Sequence, residues 1–146
     1  MTLVHATCVA VRRGDTWRAV LLRGPSGAGK SDLALRLIDA GGRLVADDQV
    51  ELRRQGKKLI GGAPAKIAGL IEARGLGIVK LGRDQLVRRA EVVLLVDLAH
   101  PEPIERLPEP ARESVLGVTL PLISLAPFEA SSVAKLRLAL TRSADA

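Results

Sequence analysis

The sequence predicts an α/β fold, a hairpin-rich mixed sheet with few helices, in a single domain over residues 1–146. Three observations predict it. Apolar, partly β-branched stretches recur with turn chemistry between them (Leu3 to Val11, Trp17 to Leu22, Arg43 to Ala46, Val92 to Val96). Between Lys30 and Ala40, Leu33, Ala34, Leu37 and Ile38 recur at helical spacing, with Asp32, Arg36 and Asp39 on the other face. There is more strand than a doubly wound fold needs. A chain of 146 residues, 47% hydrophobic and 26% charged, is long enough to bury a core and too apolar to stay disordered.

In chain order, Leu3–Val11 and Trp17–Leu22 read as a hairpin with a longish loop around Gly14-Asp15. Gly24 to Gly29 can only be a loop, and Gly41-Gly42 ends the helix that follows it. Arg43 to Ala46 is a short strand closing on Asp47-Asp48, and Gln49–Arg54 with Lys57–Ile60 reads as a second hairpin. A glycine-rich middle surrounds Ile71-Glu72-Ala73-Arg74, where Gly75 and Gly77 suggest close backbone approach. Val92 to Val96 must be a buried strand, and Pro101, Pro103, Pro108 and Pro110 mark an extended surface connection. Val115 to Leu125 reads as a last strand broken by Pro121, and Ser131 to Thr141 as a terminal helix.

Composition excludes several function classes. Trp17 and Phe128 are the only aromatics, which disfavours single-strand or RNA binding by base stacking. The single cysteine, Cys8, cannot form an intramolecular disulfide or a multi-cysteine metal cage, and reads as a small core hydrophobe. No apolar run reaches membrane-spanning length and no signal peptide is visible, so the expected location is the cytoplasm. A net charge of +6 favours a phosphate-bearing ligand or an acidic partner. Lys80, Arg83, Arg88 and Arg89 are candidates for recruiting the latter, or are simply a solvated face.

Gly24-Pro25-Ser26-Gly27-Ala28-Gly29-Lys30-Ser31 fits G-x-x-x-x-G-K-[ST] without deviation. With this composition such a match arises by chance in about 0.4% of such chains. Its glycines let successive N–H groups turn inward on phosphate oxygens, and the helix starting at Lys30 adds the positive end of its dipole. Lys30 reaches the terminal phosphates and the Ser31 hydroxyl ligates Mg²⁺. Such a site needs carboxylates for the metal and for the proton of an attacking hydroxyl, and two strands compete to supply them. Val92 to Val96 followed by Asp97 has the usual run-then-acid pattern, slightly favoured on pattern alone. The doublet Asp47-Asp48 is the alternative: adjacent carboxylates repel, so a pair at a strand end has a use, one for the metal and one for a proton. His5 on an apolar strand is more often packed than catalytic, and His100 reads as a surface residue.

Taken in order, Val4-His5, Gly24 to Ser31, Leu44 to Asp48 and Ile71-Glu72-Ala73-Arg74-Gly75-Leu76-Gly77-Ile78 resemble the catalytic domain of bacterial HPr kinase/phosphorylase. The resemblance covers roughly the first two-thirds of the chain. It implies a phosphoenolpyruvate-carboxykinase-like core, ATP and Mg²⁺ as cofactors, the phosphocarrier HPr as partner, and a homohexamer. The implied activity is serine phosphorylation of HPr, reversed by attack of inorganic phosphate on phosphoserine. By position, Asp48 resembles the proton acceptor, Asp47 and Glu72 metal carboxylates, Arg74 a charge-neutralising group, and His5 a positioning group. Three departures stand out. The loop Arg12 to Arg18, between His5 and the phosphate loop, reads as expanded relative to the family, which loosens the placement of His5. The chain starts at the first catalytic strand, as in short proteobacterial forms lacking an amino-terminal domain. The basic carboxyl-terminal loop that longer members use in the reverse reaction has no counterpart; Thr119–Leu122 and Pro127–Ser132 stand there instead. The forward reaction is therefore expected more firmly than the reverse. The competing functions are a small-metabolite kinase using Asp97 and a nucleotide-binding regulatory module without turnover.

Overall fold

The computed structural model describes residues 1–144. Its strands are β1 (Thr2–His5), β2 (Thr7–Arg13), β3 (Thr16–Arg23), β4 (Arg43–Ala46), β5 (Gln49–Gln55), β6 (Lys58–Gly62), β7 (Leu70–Ala73), β8 (Gly77–Lys80), β9 (Arg89–Leu98), β10 (Ala111–Val115) and β11 (Val118–Leu125). The helices are α1 (Lys30–Asp39) and α2 (Ser132–Ala144). Nine strands form one mixed, curled sheet in the order β1-β5-β6-β9-β3-β2-β4, with β11 added to β9 and β10 to β11. The β7-β8 hairpin stands apart from it.

The ten-residue β9 organises the sheet. One edge runs parallel to β3 from Glu91 to Asp97. The other is shared: Arg89–Val92 pairs antiparallel with β6, while Leu95–Leu98 pairs parallel with β11. The sheet therefore divides along β9, and both faces are covered. Val9, Val20, Leu22, Leu94 and Val96 face α1 and α2 through Leu33, Leu37, Leu136 and Leu140. Ala6, Cys8, Ala10, Ala19 and Ala46 line the other face, against Val50, Leu52 and Leu59. Those small side chains let the β5-β6 hairpin close over the sheet, so no strand face in the middle is left for polar residues.

Three sequence expectations change. Leu3–Val11 is not one strand: it splits at Ala6, with β1 pairing β5 while β2 pairs β3. The expected long loop before Trp17 is a tight turn, since Arg13 lies opposite Thr16 with only Gly14 and Asp15 between. The last strand begins earlier as a hairpin, turning at Leu116-Gly117, where both residues take the positive φ that tight hairpins favour. Pro121 does not break β11. It falls just before β11 joins β9, where the strand has one hydrogen-bonded neighbour and a missing N–H costs little. Among the described residues no helix is long and apolar enough to cross a membrane.

Leu94 is fully buried between the helices and the sheet. Leu94→Ala is expected to lower stability by about 2–5 kcal/mol in urea titration, through lost transfer energy and an unfilled cavity. Burial pushes the Cys8 thiol up to about 12, above its unfolded value. The native state therefore keeps its proton where the unfolded chain has lost it. This contribution to stability is intact below about pH 8.5 and is lost as pH rises toward 12. Thiol reagents should leave Cys8 unmodified at neutral pH until the chain unfolds.

Candidate functional site

Topology gathers the site at one edge of the sheet. β2 runs antiparallel to both β3 and β4, so the carboxyl ends of β3 and β4 lie on either side of the start of β2. Thr7 sits opposite Leu22, two residues before the glycine loop, and Cys8 sits opposite Ala46, one residue before the acid doublet. Ligand sites in open α/β sheets form outside such carboxyl ends.

Asp47 is buried and its carboxylate is satisfied from three directions. Oδ1 accepts from the Thr7 hydroxyl at 2.8 Å and the Ser31 hydroxyl at 2.7 Å; Oδ2 accepts from the Glu72 backbone N–H at 3.0 Å. A buried carboxylate has to be paired in this way to be tolerated. The contacts tie the starts of β2 and α1, and strand β7, to the end of β4.

Asp48 has the opposite environment. It is exposed, and the Gln49 N–H donates to the Asp47 carbonyl at 2.8 Å, closing a three-residue turn with Asp48 at its apex. Its φ of +70° is unusual for a non-glycine residue, and turns of this kind are strained. The turn directs neighbouring carboxylates into different surroundings. Asp48 Oδ1 lies 3.4 Å from His5 Nδ1, both side chains well exposed, and the Ala6 N–H donates to the Asp48 carbonyl at 3.2 Å. His5, opposite Gln49 across β1 and β5, is thus a site-edge residue, not a core histidine.

The glycine loop spans Gly24–Gly29 between β3 and α1, as expected. Lys30 is buried, and its Nζ donates to the Gly24 carbonyl at 2.5 Å and the Pro25 carbonyl at 2.9 Å, curling the chain around its head. Gly29 has a φ of +99°, and a Cβ there would come within 2.6 Å of the Phe128 ring. Glycine is required by both backbone and neighbour. Pro25, Ser26, Gly27 and Ala28 also line a cavity of about 420 Å³ behind the loop.

Glu72 meets the cluster through its backbone, while its side chain is exposed between buried Ile71 and Ala73. Arg74 is exposed at the tip of the β7-β8 hairpin. Gly75 and Gly77 have open space around them and positive φ, so the turn needs them; the close backbone approach expected from sequence is absent. Among the described residues no three His, Cys, Asp or Glu side chains gather as a preformed metal cage. The hard oxygen donors close to the phosphate loop are the Ser31 hydroxyl and Asp47, in contact with one another, which suits Mg²⁺ held jointly with phosphate oxygens.

Asp97 is otherwise employed. Its Oδ1 accepts from Arg23 Nε at 2.8 Å, and the same guanidinium forks onto Glu113, holding that carboxyl below its ordinary range. The geometry thus places Asp47 against the Ser31 hydroxyl and Asp97 against the Arg23 guanidinium.

Residues 1–140 match the family described as the HPr Serine kinase C-terminal domain. The chain belongs to that family. It is 39% identical to the HPr kinase/phosphorylase of Geobacillus thermodenitrificans over 115 residues, 73% of this chain and 37% of the relative. It is 42% identical to that of Acidovorax sp. over 109 residues, 68% of this chain and 34% of the relative. The chain thus spans about a third of the length of these curated relatives. A solved structure of the Hpr(Ser) kinase/phosphatase from Coxiella burnetii superposes with a TM-score of 0.81 at 30% identity, covering 99% of this chain and 91% of that one. The phosphate loop and the acid doublet were legible as local features; the choice between the doublet and Asp97 was not, nor were Thr7 and Arg23 as the partners of these acids. A threonine at the head of an apolar run was the one sign of the first of these partners in the sequence.

Thr7→Val keeps the shape but removes one donor from Asp47, and is expected to cost about 1–3 kcal/mol in chemical denaturation. Asp48→Gly relieves the positive φ and is expected to raise stability by about 0.5–1 kcal/mol. A fall in melting temperature for that variant would show that the turn is unstrained.

Proposed function

We propose that this chain is an ATP- and Mg²⁺-dependent kinase domain that transfers the γ-phosphoryl group to a serine of the phosphocarrier HPr. The single observation that carries the reading is the division of labour in the doublet: Asp47 clamped against Ser31 and Asp48 lifted into solvent beside it. Phosphoryl transfer asks for positioning and charge neutralisation more than covalent help, and both are supplied here by fixed groups. Its phosphate loop and mixed sheet also suit a phosphoenolpyruvate-carboxykinase-like core forming one catalytic domain over 1–146.

In this reading the loop from Gly24 to Gly29 turns its backbone N–H groups on the β- and γ-phosphates, at the positive end of α1. Lys30 moves its ammonium from loop carbonyls to phosphate oxygens. Ser31 and Asp47 hold Mg²⁺, joined by the exposed carboxylate of Glu72. The metal supplies charge neutralisation on the phosphates when bound. Asp48 accepts the proton of the incoming serine hydroxyl, and its exposure is what lets a protein substrate reach it. His5 holds the Asp48 carboxylate toward the substrate side, and Arg74 draws charge from the transferring group. Microscopic reversibility makes Asp48 the donor in any reverse step with inorganic phosphate. The positive face at Lys80, Arg83, Arg88 and Arg89 speeds encounter with an acidic partner. Assembly into a homo-oligomer, a hexamer by resemblance, is carried forward with this reading and is measurable by sedimentation.

Incubation of the protein with labelled ATP, Mg²⁺ and purified HPr tests the proposal. Wild type should label HPr on serine, and Asp48→Asn should lose about 10²–10⁴-fold in rate while still binding nucleotide. Asp97→Asn should leave transfer nearly intact. Bound nucleotide without labelled HPr would point to a binding module, and a dead Asp97→Asn with an active Asp48→Asn would move the chemistry to the other strand. Encounter should also slow with added salt, and an unchanged association rate would discard the basic face as a recruiter.

A further inference from the structure

The cavity beside the phosphate loop is not used by the reading above. It lies between Ala28 of the loop, Leu98 at the end of β9, His100 just after it, and Ala126, Pro127 and Phe128 after β11. Its volume of about 420 Å³ is in the range of small-ligand pockets, which run from about 300 to 1,000 Å³. Its walls are largely apolar.

We propose that this cavity takes the nucleobase of the bound nucleotide, a purine stacked on Phe128. The inference rests on the kinase reading of the phosphate loop and extends it to the other end of the ligand. Topology supplies the direction. On one side of β3 lie β2 and β4 with Asp47 and Asp48, where the reacting phosphate must point. The opposite end of the ligand therefore leaves toward β9 and β11, whose carboxyl-terminal loops form the cavity.

Phe128 is suited to the task. Its side chain is 69% exposed although it is one of two aromatics in the chain. The other, Trp17, is covered by the Arg43 guanidinium, 4.7 Å from the ring centroid. The turn carrying Phe128 is held from both helices. Ser132 Oγ, buried at the start of α2, accepts from the Glu129 N–H at 3.0 Å and donates to the Ala126 carbonyl at 2.6 Å. Arg36 of α1 donates to the Pro127 carbonyl, and Lys135 pairs with Glu129 at 3.2 Å. An exposed ring on a fixed turn, in contact with the phosphate loop at Gly29, is a stacking platform that loses little freedom on binding. Ser26, His100 and Glu129 are the polar side chains among the lining residues and the walls are otherwise apolar, so ADP and GDP should bind within about tenfold of each other, since apolar walls discriminate weakly.

Calorimetric titration of the full chain with Mg-ADP, Mg-GDP and Mg-pyrophosphate separates the base from the phosphates. Phe128→Ala should weaken ADP binding about five- to a hundredfold, with pyrophosphate binding unchanged. Phe128→Trp should keep ADP affinity, and its indole emission, corrected for Trp17, should respond to ADP but not to pyrophosphate. ADP affinity unchanged in Phe128→Ala overturns the proposal, as does a parallel loss of ADP and pyrophosphate binding, which would make the ring a support for the loop. A wild-type chain that binds neither ligand sinks the kinase reading along with it.

Discussion

A buried negative charge has to be answered by donors, and in this protein the answer to Asp47 is built from most of the fold. The hydroxyl of Thr7 comes from the first residue of β2, that of Ser31 from the first turn of α1, and the N–H of Glu72 from the detached β7-β8 hairpin. Each is worth little alone in net terms, but leaving any of them unmade strands a charge in low dielectric. The carboxylate thereby fixes where the phosphate loop sits relative to the end of β4. One carboxylate is the knot between the sheet, the helix and the hairpin, and the proposed kinase reading uses the same group.

Next to that satisfied group the chain accepts strain. Asp48 occupies the left-handed region in a three-residue turn, a conformation that glycine would adopt more easily. What the strain secures is separation. Consecutive residues on a regular strand would point to opposite faces of the sheet, one into the core and one across it. The turn keeps both acids at the sheet edge, one inward against Ser31 and one outward beside His5. Two carboxylates thus acquire different surroundings within a single peptide unit.

The division of the sheet along β9 gives the phosphate loop two unlike flanks. Toward β2 and β4 it meets acids and hydroxyls; toward β9 and β11 it meets apolar loops and an aromatic ring. Arg23 sits at the boundary, its guanidinium shared between Asp97 and Glu113. It occupies the Asp97 carboxylate and fastens β3 to β9 and to β10. An acid at the end of an apolar strand is therefore no guide to metal binding until its partner is known.

Local sequence determined the parts whose physics is local. The glycine loop, the amphipathic stripe of α1, the β5-β6 hairpin, the buried run of β9 and the doublet after β4 all follow from spacing and side-chain type within about a dozen residues. The split of Leu3–Val11 at Ala6, the early start of the last hairpin and the tolerance of Pro121 were decided by which strand lay alongside, and pairing partners are distant in sequence. The same holds for the site. Lys30 and Ser31 announce themselves by motif, but the different surroundings of Asp47 and Asp97 come from Thr7, Ser31 and Arg23, residues 16 to 74 positions away. Charge compensation acts through space, so a residue's chemistry was settled only when the chain had folded its partner against it.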